Sequence, residues 1–352
     1  MGIHIHLAAS LLLTTLPLSA QTAPASAPNA NNVQMSAQTV LGHGWGVDHV
    51  GLAVRDLAQS EHDYERLGFK VTGRKRFPGG EFDSHVYLQE NSYLELLSVN
   101  GSTSIKQGSK ASIIAEFTKK GERAMFLGIN VSSAAAAADY LTAHGFDVTR
   151  PRPGSSMEEG ETTLPPPMWY NVVPGNMPAL KKGTILPIFF IEYVSAEWRE
   201  KHRAAGDMDH PNTAMGIHAV WFAVHDTETQ LGALRDAGFE SGESREMKSL
   251  GAHGREVKAG QGVLLLLQPS DRNGVLSRYL SDPTNWIDGH DEGVIGVSIE
   301  VANLGKARQL VESGTGRKLD TYKGFYGTSF LLPPEVTHGI WIEMFQPVEN
   351  LH

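Results

Sequence analysis

The chain has 352 residues, of which 41% are hydrophobic and 20% charged, and its formal net charge is −9. This composition is typical of a globular protein, and the length suits two domains. The negative charge argues against nucleic acid or an anionic membrane as a partner. The chain has no cysteine, which excludes disulfides, thiolate metal sites and cysteine nucleophiles.

The N-terminal segment differs from the rest of the chain. Residues 1–20 contain the apolar run "HLAASLLLTTLPLSA", which ends in small residues before a cleavage position after Ala20. This pattern predicts a signal peptide, which is too short to remain as a membrane span. Residues 21–45 are rich in Ala, Pro, Asn and Ser and predict a flexible leader. We therefore expect a periplasmic or secreted protein with no membrane anchor after cleavage.

One pattern then occurs four times along the chain. The segment "VGLAVRDLAQSEHDYERLGFKV" predicts a strand, a helix and a second strand, with Asp56 as the helix N-cap and Gly68 at its end. Similar segments begin at 127, 220 and 297, and strand-like segments follow each copy. The sequence therefore predicts α+β structure made of four βαβββ modules. Their ranges are 46–99, 124–195, 216–270 and 293–347.

The sequence motifs of these modules resemble those of the vicinal oxygen chelate (VOC) superfamily, and within it those of the glyoxalase-like domain group. "DHVGLAV" before a helix ending in "LGF", the closing "YLELLSV", "LPIFFIEY" and "HPN" carry the resemblance. The resemblance implies that modules pair into two cup-shaped barrels, 46–195 and 216–347, joined by a linker at 196–215. It also implies that metal ligands come from the first and last strands of each module.

Strand alternation indicates which side chains of the first module face the cup. His49 shares a face with the small residues Gly51 and Ala53, which leave room for a ligand. In "SYLELLSV", Glu95 lies between leucines, where a carboxylate is costly unless it is paired or binds a metal. Both residues are therefore candidate metal ligands.

The second module contributes one further candidate. Alignment of "LGINV" with "VGLAV" puts Phe126 at the position of His49, and "FIEYV" is interpreted as placing Glu192 at the position of Glu95. His49, Glu95 and Glu192 would then bind a divalent metal such as Zn, Mn, Fe or Ni. In "FDSHVYL", His85 and Tyr87 also point into the cup. His85 would complete the metal set, act as an acid or base, or lie at a surface edge.

The second barrel has fewer such residues. Ala219 falls at the ligand position of "GIHAVWFAV", and His218 falls on the opposite face unless a bulge shifts the register. Glu343 is the one acid left in a closing strand, so a site of His218 and Glu343 is a secondary hypothesis. We otherwise expect this barrel to be structural.

Aromatic residues near the first cup are candidates for lining a substrate site. They are Tyr87, Tyr93, Phe126, Trp169 and Tyr170, the last two of which lie on a long insertion at 151–184.

Three functional hypotheses follow from the resemblance. The first is a metal-dependent isomerase or lyase acting on a small substrate with vicinal oxygens, with Glu95 or Glu192 as the base. The second is a metal-free protein that binds and sequesters a small molecule. The third is a ring-cleaving dioxygenase, which needs two histidines and a carboxylate and hence His85 or His218. Each predicts a small-molecule partner, and either a monomer or a homodimer is compatible with the sequence.

Overall fold

The computed structural model describes residues 40–99, 105, 109–175, 187–283 and 292–348. The predicted signal peptide and nearly all of the leader lie outside the described residues. The helices within the described ranges are α1 (Leu57–Arg66), α2 (Lys110–Lys120), α3 (Ala134–Ala143), α4 (Glu197–Ala204), α5 (Thr227–Asp236), α6 (Val275–Ser281) and α7 (Leu304–Thr315). In the described part of the chain, no helix is both long and apolar enough to cross a membrane.

The first sheet contains the strands of the first two modules. They are β1 (Gly46–Ala53), β2 (Lys75–Arg76), β3 (Glu81–Tyr87), β4 (Tyr93–Val99), β5 (Arg123–Asn130), β6 (Arg152–Gly154), β7 (Met157–Glu158), β8 (Trp169–Val172) and β9 (Ile188–Tyr193). Their order is β6-β8-β9-β5-β1-β4-β3-β2-β7. Strand β1 is central, since it pairs in parallel with β4 and antiparallel with β5. The β1–β5 pair joins the two modules into one curled sheet.

The second sheet repeats this plan. Its strands are β10 (Ala214–Ala223), β11 (Glu240–Met247), β12 (Ala252–Ala259), β13 (Gly262–Pro269), β14 (Gly293–Val301), β15 (Tyr322–Lys323), β16 (Thr328–Leu332) and β17 (Trp341–Gln346). Their order is β11-β12-β13-β10-β14-β17-β16-β15, with β10 and β14 as the central antiparallel pair. The α+β fold predicted from the repeated modules is confirmed.

Local signals in the sequence account for the ends of α1. The Asp56 side chain accepts a hydrogen bond from the backbone N–H of Gln59, as an N-cap residue does. Gly68 has a φ of +83°, a left-handed conformation that favours glycine. The helix start and stop predicted from these two residues are both present.

Two apolar layers lie on opposite faces of the strands. Val50 and Leu52 of β1 belong to a large buried cluster that includes Tyr64 of α1 and also Val220 of the second sheet. The other face of the first sheet has its own cluster, in which Ala53 packs with Ile114 of α2. The helices therefore cover the outer faces, and α2 closes over part of the inner face.

The "HPN" segment attaches the linker to the first sheet. His210 is buried, and its Nδ1 accepts the Lys70 backbone N–H at 2.9 Å. Its Nε2 then carries the proton and donates to the Tyr87 carbonyl at 2.8 Å. Asn212 adds a bond from its side-chain amide to the Leu67 carbonyl at 3.0 Å. These bonds require a neutral His210.

This arrangement predicts acid sensitivity. Burial lowers the pKa of His210 to about 4, with Lys70 acting in the same direction and the Tyr87 carbonyl and Asp209 opposing it. Because the pKa in the unfolded chain is about 6.5, the unfolded state binds more protons between these values. The free energy of unfolding should therefore fall by roughly 3 kcal/mol as the pH drops from about 6.5 to about 4. Urea denaturation at a series of pH values measures it.

The variant His210→Gln should be less stable than the wild type at neutral pH and should lose the part of this dependence that comes from His210, while other buried histidines such as His85 keep theirs. His62→Gln, at an exposed position on α1, is the matched control and should keep the wild-type slope. If the free energy of unfolding depended on pH equally in His210→Gln and in the wild type, the role assigned to His210 would be contradicted.

Candidate functional site

A bulge in β1 puts two adjacent polar side chains on the inner face of the first sheet. Val47 pairs with Ile129 and His49 with Gly128, so Asp48 is an extra residue in the ladder. Val47 packs in the outer core, whereas His49 contacts Phe126 and Phe189 on the inner face. The prediction that His49 faces the cup therefore agrees with the geometry.

Asp48 orients the His49 ring. Asp48 is fully buried, and its Oδ1 lies 2.5 Å from His49 Nδ1. The carboxylate also accepts bonds from the Tyr193 hydroxyl at 2.8 Å and from the Trp45 indole N–H at 2.9 Å. With Nδ1–H held by the carboxylate, the neutral ring presents the Nε2 lone pair. Nε2 lies 3.7 Å from Glu95 Oε2.

A lysine from α2 lies on the other side of Glu95. Lys110 Nζ is 3.5 Å from Glu95 Oε1 and lies 4.2 Å from the centre of the Phe77 ring. Burial acts to lower the pKa of Lys110, but the surrounding carboxylates, Glu95 first, outweigh it and raise the pKa. The lysine is therefore an ammonium ion within reach of the buried carboxylate.

Strand β3 adds an acid and a second histidine beside Glu95. Asp83, His85 and Glu95 are all buried, and one ligand atom from each lies within 4.8 Å of the others. His85 Nε2 is 3.4 Å from Asp83 Oδ2. Within the described residues, His85 Nδ1 and Asp83 Oδ1 have no hydrogen-bond partner. Buried polar atoms without partners are uncommon and indicate a missing ligand or functional role.

Burial sets the protonation of this pair. It raises the pKa of Asp83 well above its usual value, and the charge of Glu95 adds to the effect. It lowers the pKa of His85 well below its usual value, and the charge of Lys75 acts in the same direction. Burial therefore favours the neutral form of each of these two side chains.

Aromatic rings pack against both histidines. Tyr93 stacks on His49 at a centroid distance of 4.5 Å, and Tyr87 stacks on His85 at 4.8 Å. Phe126 meets His49 edge-on at 5.9 Å. Trp169 packs with the same inner cluster, whereas its neighbour Tyr170 packs against the outer core. Four of the five predicted lining residues thus lie on the inner face. The expectation for Tyr170 is wrong, because successive side chains of β8 point to opposite faces of the sheet and Trp169 takes the inner one.

The structure corrects the interpretation of Glu192. Val50 pairs with Leu94 in the first module, and Leu127 pairs with Ile188 in the second. This register places Phe189, rather than Glu192, at the position of Glu95. Glu192 Oε2 instead accepts the backbone N–H of Ala134 at 2.7 Å, at the first residue of α3. Glu192 therefore supports a helix start and does not join the buried cluster.

The second sheet has a similar bulge but a filled inner face. His218 is the extra residue of β10, and its ring contacts Tyr326 and Phe345. It therefore occupies the position of Asp48 and turns inward. Trp221 stands where the first sheet has Gly51, and it is fully buried.

Glu343 is satisfied by other partners. Its carboxylate accepts the Ser298 hydroxyl at 2.7 Å and the Tyr322 hydroxyl at 2.8 Å. No bond joins it to His218 in the described structure, and Leu265 occupies the position of Glu95. The secondary hypothesis of a His218–Glu343 metal site is not supported by this geometry.

Sequence reasoning did not identify several residues of the first site. Asp83 shares the strand face of His85 two residues away, so alternation would have identified it. Asp48 precedes His49 directly, but only the bulge brings it inward. Lys110 lies on α2 between two modules, and no motif marks it.

The glycines opposite the rings predict a tight fit. A Cβ at Gly128 would lie 2.5 Å from the Cε1 atom of His49. Gly128→Ala should therefore displace the His49 ring and lower the free energy of unfolding by about 1–3 kcal/mol, as overpacking does. Gly232→Ala is the control, because a Cβ there meets nothing within 4 Å inside α5. It should raise stability by about 0.5–1 kcal/mol in urea denaturation. A Gly128→Ala protein as stable as the wild type would contradict the packing.

Comparison with solved structures gives matches across most of the chain. A hypothetical protein from Staphylococcus aureus has a TM-score of 0.54 at 11% identity, covering 85% of this chain and 98% of its own. A variant of 4-hydroxymandelate synthase from Streptomyces coelicolor has a TM-score of 0.53 at 14% identity, covering 86% and 93%. These likenesses concern the fold. Comparison with curated proteins finds no match.

The sequence itself matches a known family. Residues 47–237 match the glyoxalase-like domain, which includes the whole of the first sheet and the linker. The match covers more than half of the chain. The bulged strand, the module pairing and this match lead to one conclusion: the chain belongs to the glyoxalase-like domain family of the vicinal oxygen chelate superfamily.

Proposed function

We propose that the protein is a metal-dependent enzyme of isomerase or lyase type, acting on a small substrate with two adjacent oxygens. The metal would be held in the first barrel by Asp83, His85 and Glu95, with His49 beside them. The observation that carries the proposal is the convergence of Asp83, His85 and Glu95 within 4.8 Å in a buried site. Imidazole nitrogen and carboxylate oxygen are donors that bind divalent metals in proteins.

The donor chemistry supports this proposal. Two of the buried atoms, His85 Nδ1 and Asp83 Oδ1, lack a partner in the described structure, and each would gain one on metal binding. Asp48 holds Nδ1 of His49, which leaves the Nε2 lone pair beside the donor set, facing Glu95. Imidazole and carboxylate ligands suit Zn, Mn, Fe or Ni.

Each residue of the site would have a separate role in a proton transfer. A bound divalent metal supplies Lewis-acid polarisation of substrate oxygens. Glu95 is the proposed base. Of the two glutamates predicted for this role, Glu192 lies at the start of α3, so Glu95 is the one within the cluster. His49 Nε2, 3.7 Å from Glu95 Oε2, would receive or return the proton, while Asp48 stabilises the charged imidazole.

A metal-free binding protein is the second candidate, and two contacts favour it. Lys110 pairs with Glu95 at 3.5 Å, and Lys75 Nζ donates to the Tyr87 hydroxyl at 3.1 Å. These two ammonium groups supply positive charge without a metal ion. The stacked rings of Tyr87 and Tyr93 would then hold a flat ligand. A ring-cleaving dioxygenase remains a third hypothesis, since two histidines and a carboxylate also suit iron.

Elemental analysis of the purified protein separates the candidates. The enzyme proposal predicts about one divalent metal per chain in the wild type, and at least tenfold weaker metal binding in Glu95→Gln, because loss of a charged ligand weakens the site. Glu192→Gln is the matched control and should keep its metal, since Glu192 caps α3. Iron as the resident metal, with oxygen uptake in the presence of catechols, would favour the dioxygenase.

Two results would contradict the enzyme proposal. One is the absence of bound metal in the wild type after incubation with Zn, Mn, Fe or Ni. The other is a Glu95→Gln protein that binds metal as tightly as the wild type. In either case the aromatic cup becomes the ligand site of a binding protein.

We also propose that the protein is exported to the periplasm or beyond. The support is the apolar segment within residues 1–20, which ends in small residues before a cleavage position after Ala20. N-terminal sequencing of protein recovered from the expressing bacterium should begin at Gln21, whereas a chain beginning at Met1 would contradict export.

A further inference from the structure

A buried arginine beside the first site has no acceptor for its protons. Arg199 on α4 is 3% exposed, and its Nε, Nη1 and Nη2 atoms all lack a hydrogen-bond partner in the described structure. The indole nitrogen of the adjacent Trp198 is also buried without a partner. Arginine stays protonated in proteins, so this is a charged group with five N–H donors. A buried charge left unpaired is costly unless a ligand completes it.

No nearby acid forms a hydrogen bond with Arg199 in the described structure. Glu200, the next residue of α4, pairs with Arg203. Asp48 is the acid that acts on Arg199 most strongly, but its oxygens already accept from His49, Tyr193 and Trp45. The existing acids therefore leave the guanidinium without a direct partner.

Aromatic rings surround this group and connect it to the proposed metal site. The guanidinium carbon lies 5.0 Å from the Trp45 ring centre and 4.9 Å from that of Trp198. Trp198 packs with Tyr87, Tyr93 and Met208. Tyr87 and Tyr93 are the rings that stack on His85 and His49. A continuous layer of packed aromatic rings thus lies between the unpaired cation and the two histidines.

We propose that Arg199, with the indole N–H of Trp198, binds the carboxylate of the substrate, and that the substrate is a carboxylic acid with a flat apolar body. The planar guanidinium matches the two oxygens of a carboxylate with parallel bonds. The body of the acid would lie among the aromatic rings. This names the substrate class of the site described under the proposed function and rests on that function.

Three probes test the recognition directly: benzoate, its uncharged analogue benzamide, and acetate, which has the carboxylate but no ring. Titration followed by tryptophan fluorescence and calorimetry should show benzoate binding to the full chain. Benzamide and acetate should each bind at least tenfold more weakly. Arg199→Met should weaken benzoate binding at least tenfold. The benzoate affinity of Arg199→Lys should lie between those of the wild type and Arg199→Met, because lysine keeps the charge but lacks the planar pair of N–H donors.

The thermal stability of the ligand-free protein gives a second, independent readout. Arg199→Met removes an uncompensated buried charge and keeps apolar volume, so its melting temperature should not be lower than that of the wild type. A merely structural arginine, held by the two tryptophan rings, predicts a lower melting temperature and unchanged benzoate binding. That result would overturn the inference, as would benzamide binding as tightly as benzoate or the wild type failing to bind millimolar benzoate.

Metal analysis of the same samples separates this inference from the proposed function. Arg199→Met should retain its metal, since Arg199 is outside the donor set. Arg199-dependent benzoate binding by a protein that takes up no metal would support the carboxylate site and reject the metal enzyme. Bound metal with benzoate affinity unaffected by Arg199→Met would reject the inference alone.

Discussion

The contact between Asp48 and His49 is the interaction on which the site depends. Two adjacent residues of a regular strand point to opposite faces, so this contact requires the bulge in β1. The bulge lies on the central strand, where the two modules of the first sheet meet. It brings a fully buried carboxylate to the inner face, and Tyr193 from the second module supplies one of its bonds. Pairing of the modules therefore stabilises the charge that orients the histidine.

The two sheets share a strand order and a bulge in the central strand, but the side chains on their inner faces differ. In the first sheet Gly51 faces the Phe126 ring, and His49 and Glu95 occupy neighbouring positions on the inner face. In the second sheet Trp221 fills the position of Gly51, and Ala219 and Leu265 replace the two polar residues. The first inner face thus keeps buried polar atoms of Asp83 and His85 that have no partner among the described residues, whereas in the second Trp221 fills the space and hydroxyl groups satisfy the Glu343 carboxylate. This contrast supports the assignment of function to the first half.

The site is completed by segments that lie outside the repeated strands. Lys110 comes from α2, between the first two modules, and Arg199 comes from α4, beyond the second. The HPN segment that follows α4 is fixed to the first sheet through His210, whose bonds reach Lys70 and Tyr87. Insertions between modules therefore supply charges that the symmetrical modules lack.

The sequence by itself determined the repeated modules, the α+β class, the ends of α1 at Asp56 and Gly68, and the inward direction of His49. These features depend on neighbours within a few residues, through capping and through alternation along one strand. Alternation along β3 would also have been enough to place Asp83 on the face of His85, although Asp83 was not among the predicted residues.

The tertiary structure decided which acids gather around His49. The register between β5 and β9 put Phe189 in the place expected for Glu192, and a bulge brought in Asp48. Lys110 and Arg199 reached the site through contacts between distant segments. A shift of one or a few residues in pairing changes the face or the level of a side chain, and local sequence does not encode that shift. The composition of the site therefore depends on long-range packing.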